Sequence, residues 1–359
     1  MLEKEKELII LLVKYKLNNE EVNKLKSLLT CELNWGFLTC NLIKNKISGL
    51  VWKNLNNYIL GDEKIECPFA ELFNFSYSSY VYQREKGLEQ ENATRLILKK
   101  FDEENIDYVL LKGVSNVLSI YKDYGLRTFN DNDVLVRKEH MPRVQSLLEH
   151  NNYKQGVIEN FIKFRETTKR ENLTRLLTSH ELMPYVKVFN PDKAIFLYHI
   201  VDLHYSTSLM TNKVNHSITY EILKNKYCQK DIYILNKEYS LLFLCEHFYK
   251  EAIYKEPSKN SNDLSLYKLC DIHYLILEEN IDLEYIWTLA KKISFVNPLV
   301  FTMKYIFEIF GNHGFHNLED KINDYIKEGD LMNDVFEYNS NTKAYSYKDE
   351  KLINRFFKF

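Results

Sequence analysis

Hydrophobic spacing changes twice along this chain, and those two changes limit the folds open to it. Up to about residue 105, Leu, Ile and Val recur at three- and four-residue intervals, the period of amphipathic helices. From 106 to 235 the pattern breaks into short apolar runs of strand length separated by helical stretches. From 236 to the end the helical period returns. The expected fold class is therefore α+β: an N-terminal helical region (1–105), a central α/β core with a mixed sheet (106–235) and a C-terminal helical bundle (236–359).

Within the first region, LNWGFLTCNLIKNKISGLVWKNL reads as a helix pair interrupted near Gly49. Pro68 suits the first turn of a helix running towards Phe101. The core should hold strands at Asp107–Leu111, Asn132–Arg137 and Tyr153–Ile158, with helices at Gly113–Tyr121 and Glu139–His150. Glu181–Phe189 and Ala194–Tyr205 flank the turn signal Asn190-Pro191-Asp192 and are expected to form a hairpin. In the last region, residues 257–263 (PSKNSND) read as a polar surface loop, and the final thirty residues as loosely ordered.

The charges nearly cancel, with 48 basic against 50 acidic residues, which argues against a chain that blankets a nucleic-acid backbone. The six cysteines form no CxxC pair and no zinc spacing with histidine, so buried reduced thiols are expected. The apolar run Leu8–Val13 is too short to span a bilayer and follows acidic residues. With no signal peptide or transmembrane helix visible, a cytoplasmic protein without a membrane partner is expected.

The chemistry centres on LRTFNDNDVLVR, residues 126–137. Residues two apart on a strand share a face, so Asp131 and Asp133 present their carboxylates side by side. Fixed carboxylates suit hard cations, and two Mg2+ ions can clamp both oxygens of a phosphoryl displacement. Alone, the pair is no more than a turn before a strand. Other residues add to it. Lys112-Gly113 ends one strand and opens a helix, where backbone amides and an ammonium can seat phosphate, with the Ser115 hydroxyl near the same end. Arg127, four residues before Asp131, could direct a guanidinium at a triphosphate. Asp202 in YHIVDLHYS is an acid inside an apolar strand and is the best third carboxylate, or a general base for the acceptor. His204 shares its face and would orient Asp202 or touch phosphate. His180-Glu181 opens HELMP, which lacks the second histidine of HExxH and so is not a zincin motif.

Taken together, LLKG…Y…GLRTFNDNDVLV resembles the uncharacterised bacterial nucleotidyltransferase family of LKG…R…DxDxLV type, within the DNA polymerase beta-like superfamily. The likeness extends to VDLHYS, to Asn34-Trp35, and to the helical segments carrying His247 and Asp271. The resemblance implies a polymerase-beta-like core with Lys112 and Gly113 at the nucleotide phosphates, Arg127 at the family arginine, Asp131 and Asp133 as metal ligands and Asp202 as third acid. It leaves the roles of His247 and Asp271 undefined. The cofactor would be Mg2+, with Mn2+ as substitute. Two departures stand out: Asn132 replaces the usual apolar residue between the aspartates, implying a more exposed strand end, and the Gly113–Asp131 spacing exceeds that of the tighter glycine-serine loop elsewhere in the superfamily.

The implied reaction transfers NMP from an NTP, such as ATP, to an acceptor with release of pyrophosphate. Near-neutral charge favours a small-molecule acceptor over tRNA or protein, although Lys163, Arg165, Lys169, Arg170 and Arg175 form one basic stretch. A toxin modifying tRNA or protein is the enzymatic rival, and a non-catalytic nucleotide-binding interaction module is the other. The module predicts that the three aspartates stay apart: beyond about 8 Å they could not share metal ions.

Overall fold

In a computed structural model, the structure describes residues 2–62, 67–160, 162–192, 194–207, 216–255, 264–278, 281–327, 331–337, 342–348 and 351–357. The expected polar loop at 257–263 lies outside them. The chain divides into two compact units, one of Met1–Gln83, Gly125–Arg127 and Leu244–Phe359, the other of Arg84–Tyr124 and Thr128–Phe243.

The second unit is built on one mixed sheet. Its strands are β1 (Tyr108–Leu110), β2 (Asp131–Val136), β3 (Lys154–Glu159), β4 (Lys163–Glu166), β5 (Tyr185–Val188), β6 (Tyr198–His204), β7 (Lys226–Gln229) and β8 (Ile232–Leu235), in the order β4-β3-β5-β6-β2-β1-β8-β7. β2 lies antiparallel to β1 and parallel to β6. The expected hairpin of β5 and β6 forms with antiparallel pairing. One face of the central strands packs Leu110, Val134, Val136, Val201 and Leu203 against Ile97, Leu98 and Phe101 from the C-terminal half of the helix Glu71–Glu103. The alternation of the sequence puts the carboxylates on the other face. Strands β4, β7 and β8 went unread in the sequence. The β7–β8 turn uses Lys230 (φ 49°) and Asp231 (φ 60°), left-handed residues without the glycine that signals such a turn.

The first unit is helical. Its N-terminal segments are Glu3–Val13, Asn19–Leu29, Trp35–Lys44 and Ser48–Tyr58; its later ones include Leu266–Glu278, Leu283–Lys292, Val296–Phe310 and His316–Lys327. Asn54 is buried and donates from Nδ2 to the carbonyls of Leu12 (2.9 Å) and Lys14 (2.9 Å), satisfying acceptors that the end of the first helix leaves open. The described part of the last thirty residues is ordered rather than loose. Strands Asp334–Phe336 and Lys343–Ser346 pair, and Phe356 stacks on Phe248 with ring centroids 6.4 Å apart. Of the six cysteines, Cys245 and Cys270 are buried as expected, whereas Cys40 and Cys228 are exposed. No helix among the described residues is long and apolar enough to cross a membrane.

Candidate functional site

β2 begins at Asp131, and the two-residue strand period sends Asp131 and Asp133 to the face opposite Val134 and Val136. The parallel pairing of β2 with β6 sets Asp133 opposite Asp202 and Leu135 opposite His204. The third carboxylate thus arrives from the neighbouring strand at matching height. One oxygen from each of Asp131, Asp133 and Asp202 lies within 4.8 Å of the others. Asp131 forms the open rim, its side chain 38% exposed, while Asp133 is 4% exposed. Lys112 Nζ reaches both, 3.1 Å from Asp131 Oδ2 and 2.8 Å from Asp133 Oδ2.

The electrostatics separate the acids. Burial alone would raise Asp133, but the Lys112 ammonium and the His204 imidazole more than offset it and hold the carboxyl below the usual range. Asp202 goes the other way: burial first, then the charges of Asp131, Asp133 and Glu181, push it well above the usual range. Its Oδ1 is buried without a hydrogen-bond partner among the described residues. An orphaned carboxylate oxygen facing two more carboxylates is the donor set a divalent cation satisfies, so these residues fit such an ion. His204 shares a strand face with Asp202, but its Nε2 sits against Asp133 Oδ1 at 2.8 Å and Glu181 Oε2 at 3.1 Å.

Gly113 is required where it stands. Its φ is +78°, and a Cβ there would lie 2.5 Å from the Asp131 carbonyl oxygen and 3.0 Å from Asn132 Oδ1. The turn after β1 therefore runs flush along the start of β2. Ser115 is buried in the short helix Val114–Asn116, and its carbonyl accepts from Ser119 Oγ at 2.8 Å.

Asn132 corrects an expectation. It does not mark an exposed strand end; it is fully buried. Its Oδ1 accepts from Val114 N–H at 3.4 Å, and its Nδ2 lies 3.3 Å from His199 Nε2. His199 in turn meets Thr94 Oγ1 (2.9 Å) and Tyr153 Oη (2.9 Å). Burial pushes the His199 ring down to about 3, so it is neutral at physiological pH. This polar thread ties the Gly113 turn to β2 and β6 from beneath. It escaped the sequence reading, although one signal was there: His199 alternates with Val201 and Leu203 on the apolar face of YHIVDLHYS.

Arg127 belongs to the first unit. Its Nε and Nη2 donate to Asp271 Oδ1 (2.7 Å) and Oδ2 (2.8 Å), and its guanidinium lies 4.2 Å over the Tyr267 ring. The structure thereby joins Arg127 and Asp271, two residues the sequence had singled out separately. His247, in the helix Lys237–Ile253, has its Nε2 3.5 Å from Glu251. In the basic stretch, Arg165 bridges Glu159 and Glu171, and Arg175 pairs with Glu181.

Three converging carboxylates with a lysine beside them can hold a hard divalent cation and the phosphates bound to it. A family model described as an uncharacterised nucleotidyltransferase matches residues 32–311. No curated protein matches the chain.

Proposed function

Since the chain belongs to the uncharacterised nucleotidyltransferase family, we propose that Asp131, Asp133 and Asp202 are the metal-binding and catalytic carboxylates of a Mg2+-dependent transfer of NMP from an NTP. The observation that carries this reading is their convergence to within 4.8 Å from two parallel strands. That convergence is the opposite of what a non-catalytic module requires. A polymerase-beta-like core is part of the proposal, supported by two acids on one strand and a third on its neighbour.

Bound divalent cation would polarise the α-phosphate and neutralise the triphosphate. Asp131 and Asp133 would hold it from β2. Lys112, already poised between these acids, turns towards the leaving pyrophosphate and offsets its charge. The Gly113 turn brings backbone close enough for phosphate to approach without meeting a side chain, and Ser115 lies in the same turn. Asp202, whose Oδ1 lacks a partner, completes the ligand set or takes the proton of the attacking group. Within the same reading His204 serves the site by fixing Asp133, while Arg127, the family arginine, is held by Asp271 within the first unit.

We take the acceptor to be a small molecule carrying a hydroxyl, phosphate or amine. Arg165 and Arg175, two of the five basic residues that could form a tRNA-binding cleft, pair with neighbouring glutamates.

Isothermal titration with each NTP plus Mg2+, paired with an NMP-transfer assay, tests the assignment. The Asp131→Ala/Asp133→Ala double variant should lose metal-dependent NTP binding, and transfer should fall by roughly a thousandfold or more, as removal of several kcal/mol of charge stabilisation requires. Unchanged binding and transfer in the double variant would sink the site.

A further inference from the structure

A second group of ligating side chains stands against the aspartates. His180, Glu181 and His204 each offer one ligand atom, and these atoms lie within 4.8 Å of one another. HELMP lacks the second histidine of a zincin, but the sheet supplies one from β6 instead.

The backbone fixes this arrangement. Tyr205 N and Ser206 N donate to the His180 carbonyl at 3.1 and 3.3 Å, and Leu182 N donates to Leu203 O at 2.9 Å. Glu181 and His204 also form a β-bridge. Both rings are almost wholly buried, His180 at 3% exposure and His204 at 1%. The separations are those of ligands around one ion. His204 Nε2 lies 3.1 Å from Glu181 Oε2, His180 Nε2 lies 3.5 Å from the same oxygen, and His204 Nε2 lies 2.8 Å from Asp133 Oδ1. Ligands about 2.1 Å from a metal stand roughly 3.0 Å apart in octahedral geometry and roughly 3.4 Å apart in tetrahedral geometry. Two of the ligands also have the outer contacts that orient a metal ligand. Glu181 Oε1 takes Arg175, and Ser179 Oγ is 3.4 Å from His180 Nδ1. A hydrogen bond from His204 to Asp133 explains one ring. A second imidazole, His180, comes Nε2-first onto the same glutamate oxygen that His204 meets.

The donor chemistry differs from that of the triad. Three carboxylates suit Mg2+, whereas two imidazoles with a carboxylate select a borderline transition ion. We propose that His180, Glu181 and His204 bind a divalent transition-metal ion of the Zn2+ class, next to the hard-cation site that holds Asp133. Asp133 turns Oδ1 to His204 and Oδ2 to Lys112, so its carboxylate spans the two positions. His204 Nδ1 has no partner among the described residues, which weakens the site by roughly 10- to 100-fold against one with a complete outer shell.

The test does not depend on transfer activity. Chelator-stripped full-length protein is saturated with Mg2+ and titrated with Co2+, whose visible ligand-field bands report imidazole ligation, and with Zn2+ by calorimetry. One equivalent of Co2+ should bind in the presence of Mg2+. Binding should persist in Asp131→Asn and weaken by roughly tenfold or more in His180→Ala. His180→Gln, with circular dichroism of both variants, separates loss of a ligand from loss of fold. Absence of Co2+ binding under saturating Mg2+, or wild-type affinity in folded His180 variants, overturns the proposal. So does loss of binding in Asp131→Asn with retention in His180→Ala, which would assign the ion to the triad.

Discussion

Two buried meetings of cation and carboxylate, one in each unit, look alike in a list of ion pairs and differ in what they leave open. Arg127 and Asp271 close on each other. The guanidinium presents two donors to two oxygens, lies flat on Tyr267, and the side chains are 7% and 2% exposed. Lys112 faces three acids with one point charge, Asp131 remains 38% exposed, and Asp202 keeps an unpartnered oxygen. A planar fork matched to one carboxylate has spent its geometry on that partner. A single ammonium among three carboxylates leaves charge for a ligand to neutralise. Where stability and function compete for the same residue types, satisfaction rather than burial tells them apart.

Mutagenesis can break this contrast. Asp271→Ala strands a buried guanidinium and should cost about 3–5 kcal/mol in urea unfolding. A loss under about 1 kcal/mol would mean that the pair is not the closed structural unit described here. Gly113→Ala is the next largest. The added methyl meets the Asp131 carbonyl at a backbone angle only glycine adopts easily, so a loss of about 1–3 kcal/mol should accompany weaker NTP binding. Unchanged stability would show that the turn can move away from β2. Asp202→Asn should act in the opposite sense. By removing a crowded carboxyl it should stabilise the metal-free protein by on the order of 1 kcal/mol at pH 7–8 while abolishing transfer. The sign follows from linkage: a carboxyl whose folded pKa is raised loses its stabilising share as pH rises from its unfolded value near 4 through the folded one. A destabilised Asn variant would place Asp202 among the satisfied structural acids.

Much of the second unit was legible because strand periodicity and chemistry coincide at β2 and β6. The two-residue period put Asp131 with Asp133 on one face of β2 and Asp202 with His204 on one face of β6. Less legible were features set by pairing across long sequence distances. Nothing local shows that β2 and β6 run parallel, or that Asn132 reaches His199. Asn132 looked like a weakness in the motif because a polar residue on an apolar face reads as exposure. It is a buried connector whose partners, Val114 and His199, come from two other segments. Arg127 was illegible in another way: it bonds Asp271, 144 residues away, and nothing near it in sequence points there. The β7–β8 turn carried no glycine, and so gave no sign of itself.

The side-by-side parallel alignment of β2 and β6 has a further consequence. The distance between Asp133 and Asp202 is fixed by strand spacing and hydrogen-bond register, and is independent of how much chain connects them. That connection carries β3, β4, β5 and two helices, and it includes the edge strand of the sheet. Outside His180 and Glu181, the crossover can therefore change in length without changing the spacing of the acids. The spacing of the three acids belongs to the sheet, while the surface beside them belongs to the segments that join its strands.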